Sequence, residues 1–282
     1  MDFFKGTVLG IVISVKLISI FINCQYTPCG KVKLQHKKLF GQIIRLCDAA
    51  CADVYPRDIS PMFRWMQNFE LPKNPIIFDI GANIGLYSLS FATIFKGAEI
   101  HCFEPIPFIF EYLRQNAEIN PELSDKLHLH NVGMSNCQKQ MSLSIPTPEQ
   151  HPRYGNPTDI RHFSVLGQGE ETYEAKFNSL DEWFNNYPIH CVDLIKIDVE
   201  GYEYTVLQGA SNTLHSFRPI VIFELNQLTL TLSSQTAEDY LMFARDHNYN
   251  IFGLEYGYKN ELLKIESAEQ VVLISDLILF PN

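Results

Sequence analysis

The chain has 282 residues, 46% of them apolar and 19% charged, and its 22 Lys and Arg against 32 Asp and Glu leave a net charge of −10. That balance excludes a largely disordered chain. The acidity argues against a nucleic-acid partner, because such a surface repels a phosphate backbone.

Residues 1–30 form an apolar amino-terminal segment. Thr7 to Ile22 reads TVLGIVISVKLISIFI, interrupted by Lys16 and two serines, and falls just short of the about 17–25 residues that span a bilayer. Three readings stand: a membrane anchor, a helix packed on the following domain, or a cleaved signal. The last is poorly served by the uncharged balance of Met1 to Gly6 and by Asn23-Cys24 as a cleavage site. For an anchor, the basic residues that follow (Lys31, Lys33, Lys37, Lys38, Arg45) place the rest of the chain in the cytosol.

Residues 31–74 read as a helical lead-in, with Leu39, Ile43, Leu46, Ala50 and Val54 at helical spacing until Pro56, Pro61, Pro72 and Pro75 interrupt it. From residue 75 to 282 strands alternate with helices. Strands are predicted at Ile76–Ile80, Ala98–Phe103, Leu127–Val132, Val192–Asp198, Pro219–Leu225, Tyr249–Leu254 and Val271–Phe280. Helices are predicted at Gly85–Phe95, Phe108–Asn120, Tyr202–Ser216 and Thr236–His247. The alternation predicts a mostly parallel seven-stranded sheet with helices on both faces, a Rossmann-like α/β fold. Residues 146–169, rich in Pro and Gly, break the rhythm and read as a lid or a surface loop. The seven cysteines contain no CxxC pair or zinc-site spacing, which points to a reduced, intracellular domain. Cys102 and Cys191 fall in apolar runs, where a free thiol acts as a small hydrophobe.

Asp79-Ile80-Gly81-Ala82-Asn83-Ile84-Gly85 ends a strand and opens a helix, the setting of a nucleotide-binding glycine loop. Asn83 takes the place of the glycine that lets the backbone approach a pyrophosphate, which suits a nucleoside without one. The following helix terminus can receive a carboxylate. Glu104, ending the second strand, is placed to accept ribose hydroxyls. Asn131, after the third strand, is either an adenine-side contact or a turn residue.

Asp193-Leu194-Ile195-Lys196-Ile197-Asp198-Val199-Glu200-Gly201 puts charges inside an apolar strand. Alternation sends Lys196, Asp198 and, if the strand persists, Glu200 to one face, as a compensated network. That network either orients the loop or presents Asp198 and Glu200 to a substrate, joined by Glu224 at the end of the next strand.

These blocks resemble the FkbM family of S-adenosylmethionine-dependent methyltransferases. The likeness rests on FDIGANIGLYSLSFA with IHCFEPIP, then on NSLDEW, LIKIDVEGYEYTVLQGASNTL, Arg218-Pro219 and VIFELN, over about residues 75–225. It implies a class I methyltransferase fold, S-adenosyl-L-methionine as cofactor and a small-molecule or glycan hydroxyl as acceptor. It also implies Asp79, Gly81, Asn83, Gly85 and Glu104 as cofactor contacts, and places Lys196, Asp198 and Glu200 in the family's DVEG-type motif. Transfer to a hydroxyl gains from a base. Asp198 is the first candidate, with Glu200 or Glu224 binding acceptor hydroxyls and His130 and His162 as alternatives. Converging carboxylates would also suit a divalent cation. The rival readings are an NAD-dependent oxidoreductase, against which Asn83 counts, and an inactive membrane-anchored interaction module, against which Gly81, Gly85 and Glu104 count.

Overall fold

A computed structural model describes residues 24–27, 30–33, 35–39, 42–46, 61–66, 69–144, 164–170, 172–187, 189–225, 230, 233–255 and 262–282. Two antiparallel pairs come first, β1 (Cys24–Thr27) with β2 (Gly30–Lys33) and β3 (Gln35–Leu39) with β4 (Gln42–Leu46). Up to residue 46 the helical lead-in is thereby corrected, while its later positions Ala50 and Val54 lie outside the described residues. Leu39 and Leu46 belong to strands, and Ile44 and Leu46 are buried against the main domain, so tertiary burial overrides the three-and-four spacing. The only helix described there is α1 (Pro61–Met66). The amino-terminal apolar segment 7–22 lies outside the described residues, and no helix among the described residues is long and apolar enough to cross a membrane.

The alternation that follows is β5 (Ile76–Ile80), α2 (Leu86–Ile94), β6 (Glu99–Phe103), α3 (Pro107–Glu118), α4 (Pro121–Ser124) and β7 (Leu127–His130). Next come β8 (Gly133–Ser135), β9 (Lys139–Ser144), β10 (Thr172–Ser179) and α5 (Leu180–Trp183). The chain continues through β11 (Leu194–Ile197), α6 (Glu203–Gln208), α7 (Ser211–Phe217) and β12 (Ile220–Glu224). It closes with α8 (Ala237–Asp246), β13 (Tyr249–Glu255), β14 (Leu262–Lys264) and, after a 3-10 turn, β15 (Ile274–Pro281).

The main sheet has eight strands in the order β14-β13-β15-β12-β11-β5-β6-β7. From β12 to β7 all are parallel, while β15 and β14 run antiparallel to their neighbours. Counted without β14, the predicted seven strands stand 3-2-1-4-5-7-6, a Rossmann order with an antiparallel strand inserted. The short β14 adds the eighth. Alternate residues feed two cores: Phe78, Ile195, Val221 and Phe223 on one face, Ile77, Ile100, Leu194 and Ile222 on the other.

Three departures from expectation matter for the site. The stretch 202–216 is two helices, divided where Gly209 passes so close to β8 that a Cβ would stand 1.9 Å from the Ser135 carbonyl oxygen. Strands β8, β10 and β9, unpredicted, form a small second sheet packed beside the glycine loop through Ile84, Ile106, Leu143 and Phe177. Cys191 is exposed and precedes β11, whereas Cys102 is buried in β6. Most of the 146–169 loop lies outside the described residues, apart from 164–169, where Ser164 bridges Ser144.

Candidate functional site

The carboxyl ends of β5, β6, β11 and β12 meet at one edge of the sheet. Gly81, Asn83 and Gly85 adopt φ of 77°, 50° and 89°, and Asn is among the few side chains that tolerate this region. Gly81 has a second reason to lack a side chain, since a Cβ would lie 1.9 Å from the Asp198 carbonyl oxygen. The glycine loop therefore rests directly on the turn after β11. Its backbone is also tied sideways, the Gly81 and Ala82 N–H groups donating to the Phe103 carbonyl at 3.0 and 2.9 Å. Helix α2 begins at this edge directly after Gly85, with no side-chain cap on its amino terminus.

Glu104 is only 4% exposed. Its Oε2 accepts from the Asn83 N–H at 3.0 Å and its Oε1 from the Ile106 N–H at 2.9 Å. Burial pushes its carboxyl up to about 7, against the pull of those two N–H groups. Asn131 is exposed, and its Nδ2 donates to the carbonyls of Glu104 and Pro105 at 2.9 and 3.1 Å.

Asp79 is wholly buried. Its Oδ2 accepts from the Ser88 hydroxyl at 2.5 Å, and its Oδ1 lies 3.3 Å from Lys196 Nζ. The same ammonium lies 3.2 Å from Asp198 Oδ2 and 4.3 Å from the centre of the Tyr87 ring. The shared face expected for Lys196 and Asp198 is thus realised, with Asp198 the part that reaches solvent, its side chain 27% exposed. Glu200 departs from it. The strand ends at Ile197, and Glu200 and Gly201 turn the chain with φ of 55° and 97°.

That turn is held by a residue the sequence reading missed. Glu203 is buried in the first turn of α6, and its Oε1 accepts from the N–H groups of both Val199 and Gly201, at 3.0 and 3.1 Å. Its Oε2 is buried without a hydrogen-bond partner, and burial pushes this carboxyl up to about 7. Glu224 closes the edge. Burial, followed by the charges of Asp198, Glu200, Asp276 and Glu203, pushes it well above the usual carboxylate range. Asp276 stands opposite it in the β12–β15 register. Tyr202, also missed, carries the turn to the second sheet through contacts of its hydroxyl with Ser135 Oγ, Lys139 Nζ and Met141 Sδ. The only signal for either residue was its place in GYEY directly after the acidic motif.

His130 lies apart from these carboxylates, stacked on Phe103 and His101 and set edge-on to Trp183. Burial and the neighbouring imidazoles lower it to about 4, leaving a feeble base at neutral pH. His162 lies outside the described residues. Among the described residues, the carboxylates of this edge form no three-donor group of metal-binding size.

The donor set fits an adenosyl amino acid. Glu104 keeps lone pairs beyond the two it uses, Asn131 is open to solvent, and the α2 terminus suits a carboxylate. Comparison with known proteins places the chain in a family. The model of the methyltransferase FkbM domain matches residues 79–251. The chain is 31% identical over 166 residues to methyltransferase sdnD of Sordaria araneosa, covering 49% of this chain and 61% of that protein. It is 28% identical to the hexuronic acid methyltransferase AglP of Haloferax volcanii, over 54% of this chain and 57% of that one. With the 2-O-methyltransferase NoeI of Sinorhizobium fredii it shares 26% over 51% of this chain and 61% of that protein. The chain thus spans about three fifths of the length of these relatives. The crystal structure of methyltransferase FkbM from Methylobacillus flagellatus KT aligns at 14% identity and a TM-score of 0.49, covering 75% of this chain and 45% of that one. With its family domain matched over more than half its length and laid on a Rossmann-like sheet, the chain belongs to the FkbM methyltransferase family.

Proposed function

We propose that the protein binds S-adenosylmethionine at the β5–β6 edge and methylates a hydroxyl of a sugar or small metabolite beside the acidic turn. The observation that carries this is the seat of Gly81 on the Asp198 carbonyl, which fuses nucleoside loop and acidic turn into one edge. The cofactor supplies a methyl already activated on a sulfonium. Glu104 and Asn131 hold the nucleoside, with Gly81, Asn83 and Gly85 shaping the loop. Asp79, buried against Ser88 and Lys196, acts by positioning that loop. The names of AglP and NoeI support a sugar hydroxyl as acceptor. Were residues 7–22 a membrane anchor, the basic residues after residue 30 would favour a cytosolic setting for the domain.

For the base, sequence favours Asp198. Its carboxylate, however, is held by Lys196, whereas burial and the surrounding carboxylates raise the affinity of Glu224 for a proton, and a carboxylate with greater proton affinity is the stronger base. Glu224 is therefore assigned to take the hydroxyl proton, with Asp198 and Glu200 holding the acceptor. Calorimetry should register S-adenosylhomocysteine and not NAD. Transfer of labelled methyl to a panel of uronic acids and glycosides should fall by about 10²–10⁴ in Glu224→Gln. Absence of cofactor binding would end the whole reading. A loss under tenfold in that variant returns the base to Asp198.

A further inference from the structure

The Rossmann edge does not account for a second group of polar side chains on β6 and β7. Glu99 opens β6, and alternation puts His101 on the same face. The parallel register sets His101 beside His128 of β7. Glu99 Oε1 lies 3.2 Å from His101 Nε2 and 3.4 Å from His128 Nε2, and one donor atom from each residue falls within 4.8 Å of the other two. Ligands at about 2.0–2.2 Å from a tetrahedral ion stand roughly 3.3–3.5 Å apart. The two distances from Glu99 are therefore those of neighbouring ligands as much as of hydrogen bonds, and both imidazole nitrogens lie within 4.8 Å of each other.

The donors are also fixed from behind. His101 Nδ1 lies 3.0 Å from His130 Nε2, the kind of outer contact that sets the orientation of a metal-ligating imidazole. The rings of His128 and His101 stack at 4.8 Å and 16°, and those of His101 and His130 at 5.3 Å and 4°. Trp183 stands edge-on to His101 at 5.5 Å. The Glu99 and His128 side chains are 46% and 45% exposed, which gives an ion a way in from solvent.

We propose that Glu99, His101 and His128 bind a divalent transition-metal ion of the zinc class, completed by water, which clamps the edge strand β7 to β6. Two imidazoles and one carboxylate are a zinc donor set, whereas magnesium and calcium prefer oxygen alone. Binding requires each ligating imidazole nitrogen to be free of hydrogen, with the ring proton on the other nitrogen; in His101 that is Nδ1, 3.0 Å from His130 Nε2. An edge strand such as β7 offers one unpaired side, so a clamp there resists fraying.

The test uses the untagged full chain after dialysis against chelator, titrated with Co²⁺ by visible absorption and with Zn²⁺ by calorimetry and thermal melting. One equivalent of Co²⁺ should give a tetrahedral d–d band. Zinc at 100 times its Kd should raise the melting midpoint by on the order of 5 °C. His128→Ala and Glu99→Gln, both at partly exposed positions, should each lose the band and at least tenfold in affinity. A band of wild-type size in both variants overturns the site, as does no stoichiometric binding by the wild type. An equal melting shift with Mg²⁺ overturns its class.

Discussion

Two buried glutamates hold the two halves of the candidate site, and they hold them differently. Glu104 fastens the glycine loop with both oxygens, one on the Asn83 N–H and the other on the Ile106 N–H. Glu203 fastens the acidic turn with one oxygen, which takes the N–H groups of Val199 and Gly201, while the other oxygen is buried without a partner. Both carboxyls are pushed up to about 7 by burial. The contrast separates a clasp that engages both oxygens from one with a spare atom. In the first, a change to either oxygen disturbs the backbone. In the second, one oxygen is free to carry a proton.

The harshest challenge to both clasps is the ammonium beneath them. Lys196 lies between Asp79 under the glycine loop and Asp198 at the turn. Lys196→Met should leave the Asp79 charge buried and poorly compensated, costing about 3–5 kcal/mol. Denaturant unfolding measures this. A loss below about 1 kcal/mol would mean that the loops do not depend on the shared cation.

Next in size is the amide substitution at Glu104. Both oxygens there accept from backbone N–H groups, so the NH2 of a glutamine must face a donor. Glu104→Gln should cost roughly 1–3 kcal/mol and weaken S-adenosylhomocysteine binding. Calorimetry and unfolding on the same preparation test both. An unaffected variant would place one of those oxygens elsewhere.

Legibility followed the kind of constraint. The sheet order was written in the apolar runs at 76–80, 98–103 and 192–198, because a strand buried on both faces reads as a continuous hydrophobic segment. Gly81, Asn83 and Gly85 were legible since positive φ admits few residue types. Glu104 was legible because it ends a strand. Glu203 was not, since its partners are backbone N–H groups whose direction depends on how Glu200 and Gly201 turn. The strand pair 35–39 and 42–46 misled for a related reason: Leu39, Ile43 and Leu46 carry a helical spacing, while burial of Ile44 and Leu46 against the main domain decides the outcome. The sheet of β8, β9 and β10 escaped because its residues alternate only in part between buried and exposed.

The smallest effect is also the sharpest test of the spare oxygen. In Glu203→Gln the amide oxygen can keep the two N–H contacts and the NH2 replaces the partnerless Oε2, so the cost near pH 5 should stay within about 1 kcal/mol. The pH dependence should change more. A carboxyl raised from 4.5 to about 7 holds its proton more tightly in the folded chain than in the unfolded one. Its contribution is fully present below about 4.5 and is lost as pH rises to about 7, flattening above that. Wild type carries this loss from Glu203 and from Glu104 together. Glu203→Gln should retain only the Glu104 share, and so become more stable relative to wild type at pH 7.5 than at pH 5, by on the order of 1–3 kcal/mol. His101 and His130, lowered from 6.5 to about 4, act with the opposite sign between those values. The informative quantity is therefore the difference between variant and wild type at each pH, measured by urea unfolding. A difference that stays constant from pH 5 to 7.5 would mean that Glu203 is ionised throughout, and that its second oxygen has found a cationic or donor partner in solution.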